Sequence, residues 1–389
     1  MDAIIARLPE FVQVIEAIRE IVLANVVLLG QIPSPTFQEQ HRTVALLERL
    51  AQAQVDECTT DGYRNPVGIV RGTDSNRPPI FVVAHLDTPF GKEVDHDYTV
   101  GENDIVGPGI LDNSVGVGVL ASLPQIFRHL GLRFASDIVL AGVIQSMGKG
   151  NLRGVRHLLK TWPTPISGAV VMEGFELGRI DHYSEGMVRA EIECRTRPEH
   201  APGHGHEPRF RPNPILVLNE AINKILEIRL PQRPRSQVIV GRISGGLKHG
   251  VIPYSAQLGI EIQSTSHQMV KSISDQIQDL VTGLGYEHEV DMDIKIISNV
   301  RASRLPFHHP LVKVASQIIT ALGIQPVLSH SESELSVFLS RQIPAVAIGL
   351  TLGENLHQLD ARMEIGPLSR GIAQVLGVLL AIDSGICHG

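Results

Sequence analysis

The chain has 389 residues, 43% hydrophobic but only 4% aromatic, with 34 basic against 41 acidic side chains and a net charge of −7. That length allows two domains, the lack of aromatics leaves no stacking platform for bases, and the negative balance disfavours nucleic acid as a partner. Cys58, Cys194 and Cys387 are odd in number and far apart, which fits a reducing compartment better than a disulfide frame or a cysteine zinc knot.

The first 29 residues, MDAIIARLPEFVQVIEAIREIVLANVVLL, are interrupted by Arg7, Glu10, Glu16, Arg19 and Glu20 at intervals that leave one apolar helical face. They read as an amphipathic helix rather than a signal or membrane segment, so the expectation is a soluble cytoplasmic protein with no membrane partner. Ser34 and Thr36 are expected caps for a helix over 38–54. VGIVRG and PIFVVAH read as strands, the second a continuous apolar run typical of a buried sheet. SVGVGVLASLPQIFRHL is helical, DIVLAGVIQS a strand, 150–160 contains a helix and GAVVMEG is another strand. Such alternation predicts an α/β fold: a mixed, mainly parallel sheet sandwiched by helices.

From about residue 187 the pattern changes. MVRAEIECRT alternates as a half-exposed strand, and the elements that follow read helix, strand, strand, helix, strand up to EVDMDIKIIS. The order β-α-β-β-α-β is that of a ferredoxin-like unit. Residues 303–389 return to the first pattern, with PAVAIGL as a buried strand and a closing helix near 366–382. The expected organisation is a split domain, 1–186 with 303–389, carrying an inserted domain at 187–302. Within the insert, the stretch RTRPEHAPGHGHEPRFRPNP holds His200, His204 and His206. It reads either as a surface loop, since Pro and Gly dominate, or as a metal- or anion-contacting segment.

The residues that carry chemistry lie just beyond apolar strands, where ligands sit in open α/β sheets. VVAHLDT offers His85 and Asp87; GPGILDNSVGVG offers Asp112, 27 residues after His85; VVMEG ends with Glu173 in reach; ENLHQLD offers His357. Two histidines and two carboxylates in this register suit Zn²⁺, with Asp87 orienting the His85 ring.

These motifs, with GNLRGVRHLL and ISGGLKHGVIP, resemble the co-catalytic zinc hydrolases that include aminoacylase, peptidase T and the glutamate-releasing carboxypeptidases. The resemblance covers nearly the whole chain. The related aminopeptidases that build hollow tetrahedral shells fit less well, because they place their insert between the first His and the bridging Asp. The resemblance implies that His85 binds a first zinc with Asp87 behind it, and that Glu173 completes that site. It implies further that Asp112 bridges two zincs and that His357 belongs to the second. It also implies a cis peptide at Asp112–Asn113, an insert that acts as a lid and homodimer contact, and a peptide or N-acyl amino acid as substrate.

The departures are as informative. Where the family carries two adjacent Glu residues, a general base and a zinc ligand, this chain has Ser146 and Met147. Gly250 stands where the family's lid turn usually has Asn, and Gln263 where an Arg usually meets the substrate carboxylate; His204 or His206 is the candidate for the lid histidine. A serine has no proton equilibrium near neutrality to act as a base, and a soft thioether does not replace a carboxylate on Zn²⁺. The expectation is therefore a degenerate site with one zinc position and a second weakened or absent, serving a binding or structural role. Two alternatives are an active one-zinc hydrolase whose base comes from elsewhere, Glu176 and Glu185 being nearby in sequence, and a serine hydrolase built on Ser146. The last lacks the glycine that a nucleophile elbow wants at Ile144.

Overall fold

The structure, a computed structural model, describes residues 1–197, 212–331 and 333–387. It divides into two compact units, Met1–Ser184 with Ser303–Gly389, and Glu185–Ala302.

The first unit begins with two helices, Asp2–Ala17 and Arg19–Gly30, where one was expected; the chain breaks at Ile18. Ile4, Leu8, Phe11 and Ile15 recur at helical spacing and are all buried. The next helix, Gln40–Gln52, has Glu39 before it and no side-chain cap. The expected capping roles of Ser34 and Thr36 are therefore corrected. Thr36 instead donates to Asp87 at 2.8 Å, and the buried Ser34 hydroxyl has no partner.

The main sheet runs Glu57–Thr60, Pro66–Val70, Ile138–Val143, Ile80–His85, Gly168–Phe175, Ala345–Thr351, Arg179–Ser184, Ser303–Arg304, with Val327–His330 added on Arg179–Ser184. Its centre is parallel, from Ile138–Val143 through Ala345–Thr351, while the flanking strands there are antiparallel. Ile80–His85, Ile138–Val143 and Ala345–Thr351 are buried along their whole length, which requires helices on both faces. Val115–His129 and Leu368–Asp383 are among the helices that cover it. The run Ile110–His129 is long and apolar enough to cross a membrane, yet nearly all of it is buried in the protein, as befits a core helix. At the point where the chain leaves this unit and returns to it, Ser184 and Ser303 are directly paired across two antiparallel strands.

The second unit is an antiparallel sheet in the order Ser236–Gly245, Ser255–Ser264, Gly186–Thr196, Val290–Val300. Strand 3 between 1 and 2, with strand 4 outside, is the ferredoxin-like arrangement. Helices Pro214–Leu226 and His267–Glu287 share one core with it, built from Val188, Ile192, Leu218, Leu258, Ile277 and their neighbours. Both helices start on a side-chain cap, Asn213 to Ile215 and Ser266 to Met269.

Candidate metal centre

His85 ends a wholly buried strand, and its Nδ1–H donates to the backbone carbonyl of Asp87 at 2.9 Å. That bond fixes the ring and turns Nε2 outward, 3.0 Å from Asp112 Oδ1. The orienting group is thus a carbonyl; the Asp87 carboxylate lies 3.8 Å from Nδ1 and has another task. It accepts from the amides of Ser146 at 3.1 Å and Met147 at 2.8 Å, and from Thr36. Glu39, also buried, accepts from the Gln145 amide at 2.9 Å. Two buried carboxylates therefore hold the 145–147 turn by its backbone, whatever side chains it carries.

Asp112 follows Gly109, which has a φ of 70°, and its peptide bond to Asn113 is cis. Asn113 donates to the Met172 carbonyl at 2.7 Å, tying this segment to the strand that carries Glu173. On that strand Gly174 passes so close to the Leu111 carbonyl that a Cβ would lie 2.3 Å from it. Only glycine permits the approach. As a result His85, Asp112 and Glu173 converge, with one ligand atom from each within 4.8 Å of the others. The second Asp112 oxygen, Oδ2, lies 3.0 Å from Nε2 of His357, an exposed residue in the left-handed region with φ 65°. One carboxylate thus spans two imidazoles.

The electrostatics follow from this crowding. Burial works against a charged His85, but the hydrogen bond and charge of Asp112 outweigh it and hold the imidazole well above its usual range. Asp112 is itself buried, yet its bonds to His357 and His85 keep it far below the usual carboxylate range. Glu173 lacks such partners: burial pushes it up to about 8, and its Oε1 is enclosed with no hydrogen bond. A buried carboxylate oxygen without a donor is rare in a finished site. One imidazole nitrogen and two carboxylates, one of them unsatisfied, form a donor set that fits a divalent cation such as Zn²⁺ with an open position.

Of the other expected site residues, Ser146 Oγ is buried with no hydrogen-bond partner, so no histidine activates it as a nucleophile among the described residues. Glu176 is exposed beside Arg179 at 3.7 Å, and Glu185 is paired with Arg235 at 2.7 Å, so neither is a free base. Gln263 is paired in register with Met187 within the second unit's sheet, and Gly250 has a φ of 76° with open space around it. His200, His204 and His206 lie outside the described residues.

One residue was missed. Glu334, in the stretch SESELSVFL, is 1% exposed, and neither carboxylate oxygen has a hydrogen-bond partner. The signal was faint: an acid set against the apolar run that forms the short helix Leu335–Ser340.

Residues 185–289 match a family model described as the peptidase dimerisation domain, M20_dimer. Over 177 residues the chain is 25% identical to a succinyl-diaminopimelate desuccinylase from Dinoroseobacter shibae, covering 43% of this chain and 45% of that protein. The matched stretch spans about half the length of the curated relatives. Among solved structures, the chain is similar to aminopeptidase PepT from Bacillus cereus, with a TM-score of 0.72 and 16% identity over 94% of this chain and 98% of that one. It is also similar to the YXEP protein of Bacillus subtilis, described as a dinuclear metal-binding peptidase from the M20 family. There the TM-score is 0.67 and the identity 14%, over 95% of this chain and 99% of that one. At such identities the fold is what is shared.

Proposed function

For a chain that carries the M20 peptidase dimerisation domain on the fold of M20 peptidases, we propose a metal-dependent amide hydrolase site reduced to one tightly held zinc. The observation that carries this reading is the convergence of His85, Asp112 and Glu173, with Glu173 Oε1 left unsatisfied. Zinc held there would polarise a carbonyl and lower the pKa of water. His85 offers Nε2 because the Asp87 carbonyl holds its other nitrogen, and Asp112 reaches toward a second position with His357. That second position is weak, because Met147 brings a thioether where a carboxylate would be needed. The substrate class is a peptide or N-acyl amino acid, and the setting a soluble cytoplasmic homodimer formed through residues 185–302.

A second reading, a degenerate site kept for binding or structure with hydrolysis impaired, is favoured by the same Ser146–Met147 pair. Zinc analysis of protein purified without chelators, with a screen of dipeptides and acyl-amino acids, separates the two. One zinc per chain with turnover supports the first reading; one zinc without turnover supports the second; no zinc from a folded protein removes both. Met147→Glu is expected to raise zinc from one towards two per chain.

A further inference from the structure

Arg42, in the first turn of the helix Gln40–Gln52, is the largest fully buried side chain among the described residues. Its Nε donates to the Ile32 carbonyl at 3.2 Å, and its Nη2 to the carbonyls of Gly30 at 2.8 Å and Ile32 at 2.7 Å. Those bonds hold the end of the helix Arg19–Gly30 and the residues just after it. Nη1 reaches two other segments, donating to the Leu86 carbonyl at 3.1 Å and to the Ser114 hydroxyl at 3.5 Å. Leu86 lies between His85 and Asp87, and Ser114 lies two residues after Asp112. The Tyr98 hydroxyl joins the same knot, 3.1 Å from Ser114 Oγ and 3.2 Å from the Pro108 carbonyl. Its ring is closely wrapped, since a Cβ on Gly30 or Gly107 would lie 2.5 or 2.1 Å from it. Burying a cation on neutral acceptors is costly, and an apolar side chain would fill the space at lower cost. What an apolar chain lacks is five donors in a rigid planar fork, which fix several acceptors relative to one another.

We propose that Arg42 is a positioning residue for the metal centre, holding the segments that carry His85 and Asp112 on one rigid fork. The inference rests on the metal reading above. The Leu86 carbonyl is the middle of the three-residue stretch in which His85 Nδ1 donates to the Asp87 carbonyl. Fixing that carbonyl fixes the root of the His85 ring. Ser114 anchors the other segment, whose Asp112 Oδ1 meets His85 Nε2 at 3.0 Å. A metal site tolerates only about 0.2 Å of error in its ligand distances. A small shift of either segment therefore weakens the metal. Arg42 acts on metal affinity and ligand geometry through Leu86 and Ser114, and moves no proton.

The test uses the full chain, made metal-free, as native protein, Arg42→Met, Arg42→Lys, Ser114→Ala and Leu50→Ala. Zinc affinity is read by chelator competition, and ligand geometry by the visible spectrum with Co²⁺ in place of zinc. Leu50 is the control: it is fully buried two turns along the same helix and packs against Gly68. Arg42→Met is expected to weaken zinc binding by about 10–100-fold and to change the cobalt spectrum. Arg42→Lys keeps the charge but loses the fork, and should follow it. Ser114→Ala removes one acceptor and should shift both readouts in the same direction by less. Leu50→Ala should lower the melting temperature and leave zinc affinity and the cobalt spectrum native, which a general loss of stability would not. Should Leu50→Ala weaken zinc as much as Arg42→Met, the assignment is overturned while the metal reading stands. Native zinc affinity in Arg42→Met overturns it equally. If neither Arg42 variant folds, Ser114→Ala decides, and native affinity and spectrum there overturn the assignment. A native protein that binds neither metal shows that the metal reading has failed, and the assignment falls with it.

Discussion

Asp87 satisfies three donors with one carboxylate and a histidine with its carbonyl, so a single buried residue sets both the ring of His85 and the path of the 145–147 turn. Asp87→Asn would turn an NH₂ toward donors and is expected to cost about 1–3 kcal/mol, read as a lower urea midpoint at unchanged slope. The cluster of His85, Asp112 and Glu173 also predicts a pH dependence. Glu173 ionises near 8 when folded against an ordinary value of 4.5. The metal-free folded state thus keeps a proton that the unfolded chain has released. Its stabilisation is fully present below about 4.5 and is lost as pH rises to about 8. His85, also raised, acts in the same sense from 6.5 upward; Asp112, depressed, contributes above the carboxylate range and loses that contribution as pH falls through it. Metal-free protein should therefore melt lower at pH 8 than at pH 5. Zinc displaces those protons, so the zinc-induced rise in melting temperature should grow between the same two values.

Among the elements, the ones that long apolar runs and steady alternation announce are those that form. Ile80–His85, Gly168–Phe175 and Ala345–Thr351 were legible as buried strands, and the second unit's strand and helix order could be read off directly. What could not be read depended on contacts distant in sequence. Arg179–Ser184 mixes charged and apolar residues and becomes a strand only by pairing with Ala345–Thr351 and Val327–His330. Thr36 looked like a cap because its true acceptor, Asp87, is 51 residues away. The convergence of His85, Asp112 and Glu173 was visible in their positions at or near the ends of apolar strands, but Glu334 was overlooked, its one signal being an acid set against an apolar run with no periodicity to mark it. Gly174 shows how finely the elements must meet. Gly174→Ala would drive a methyl into the Leu111 carbonyl and push Asp112 away from Glu173. It is expected to destabilise the protein by about 1–3 kcal/mol and to weaken zinc affinity, measured by chelator competition.

At the scale of the molecule, each unit has its own core, and the strands that begin and end the second unit are themselves paired, Met187 with Val300. The first unit closes in the same way, since Ser184 and Ser303 face each other across a ladder. Paired residues in an antiparallel ladder have Cα atoms only about 4.5–5.5 Å apart. Replacing 185–302 with a short Gly-containing turn is therefore expected to leave a folded first unit with native-like far-UV circular dichroism that still binds zinc. A first unit that fails to fold would show that its stability depends on the insert. In topological terms the second unit occupies the loop of a hairpin. A lineage could acquire, exchange or discard such a module by a single cut between two adjacent serines, without rethreading the sheet that carries His85 and Glu173.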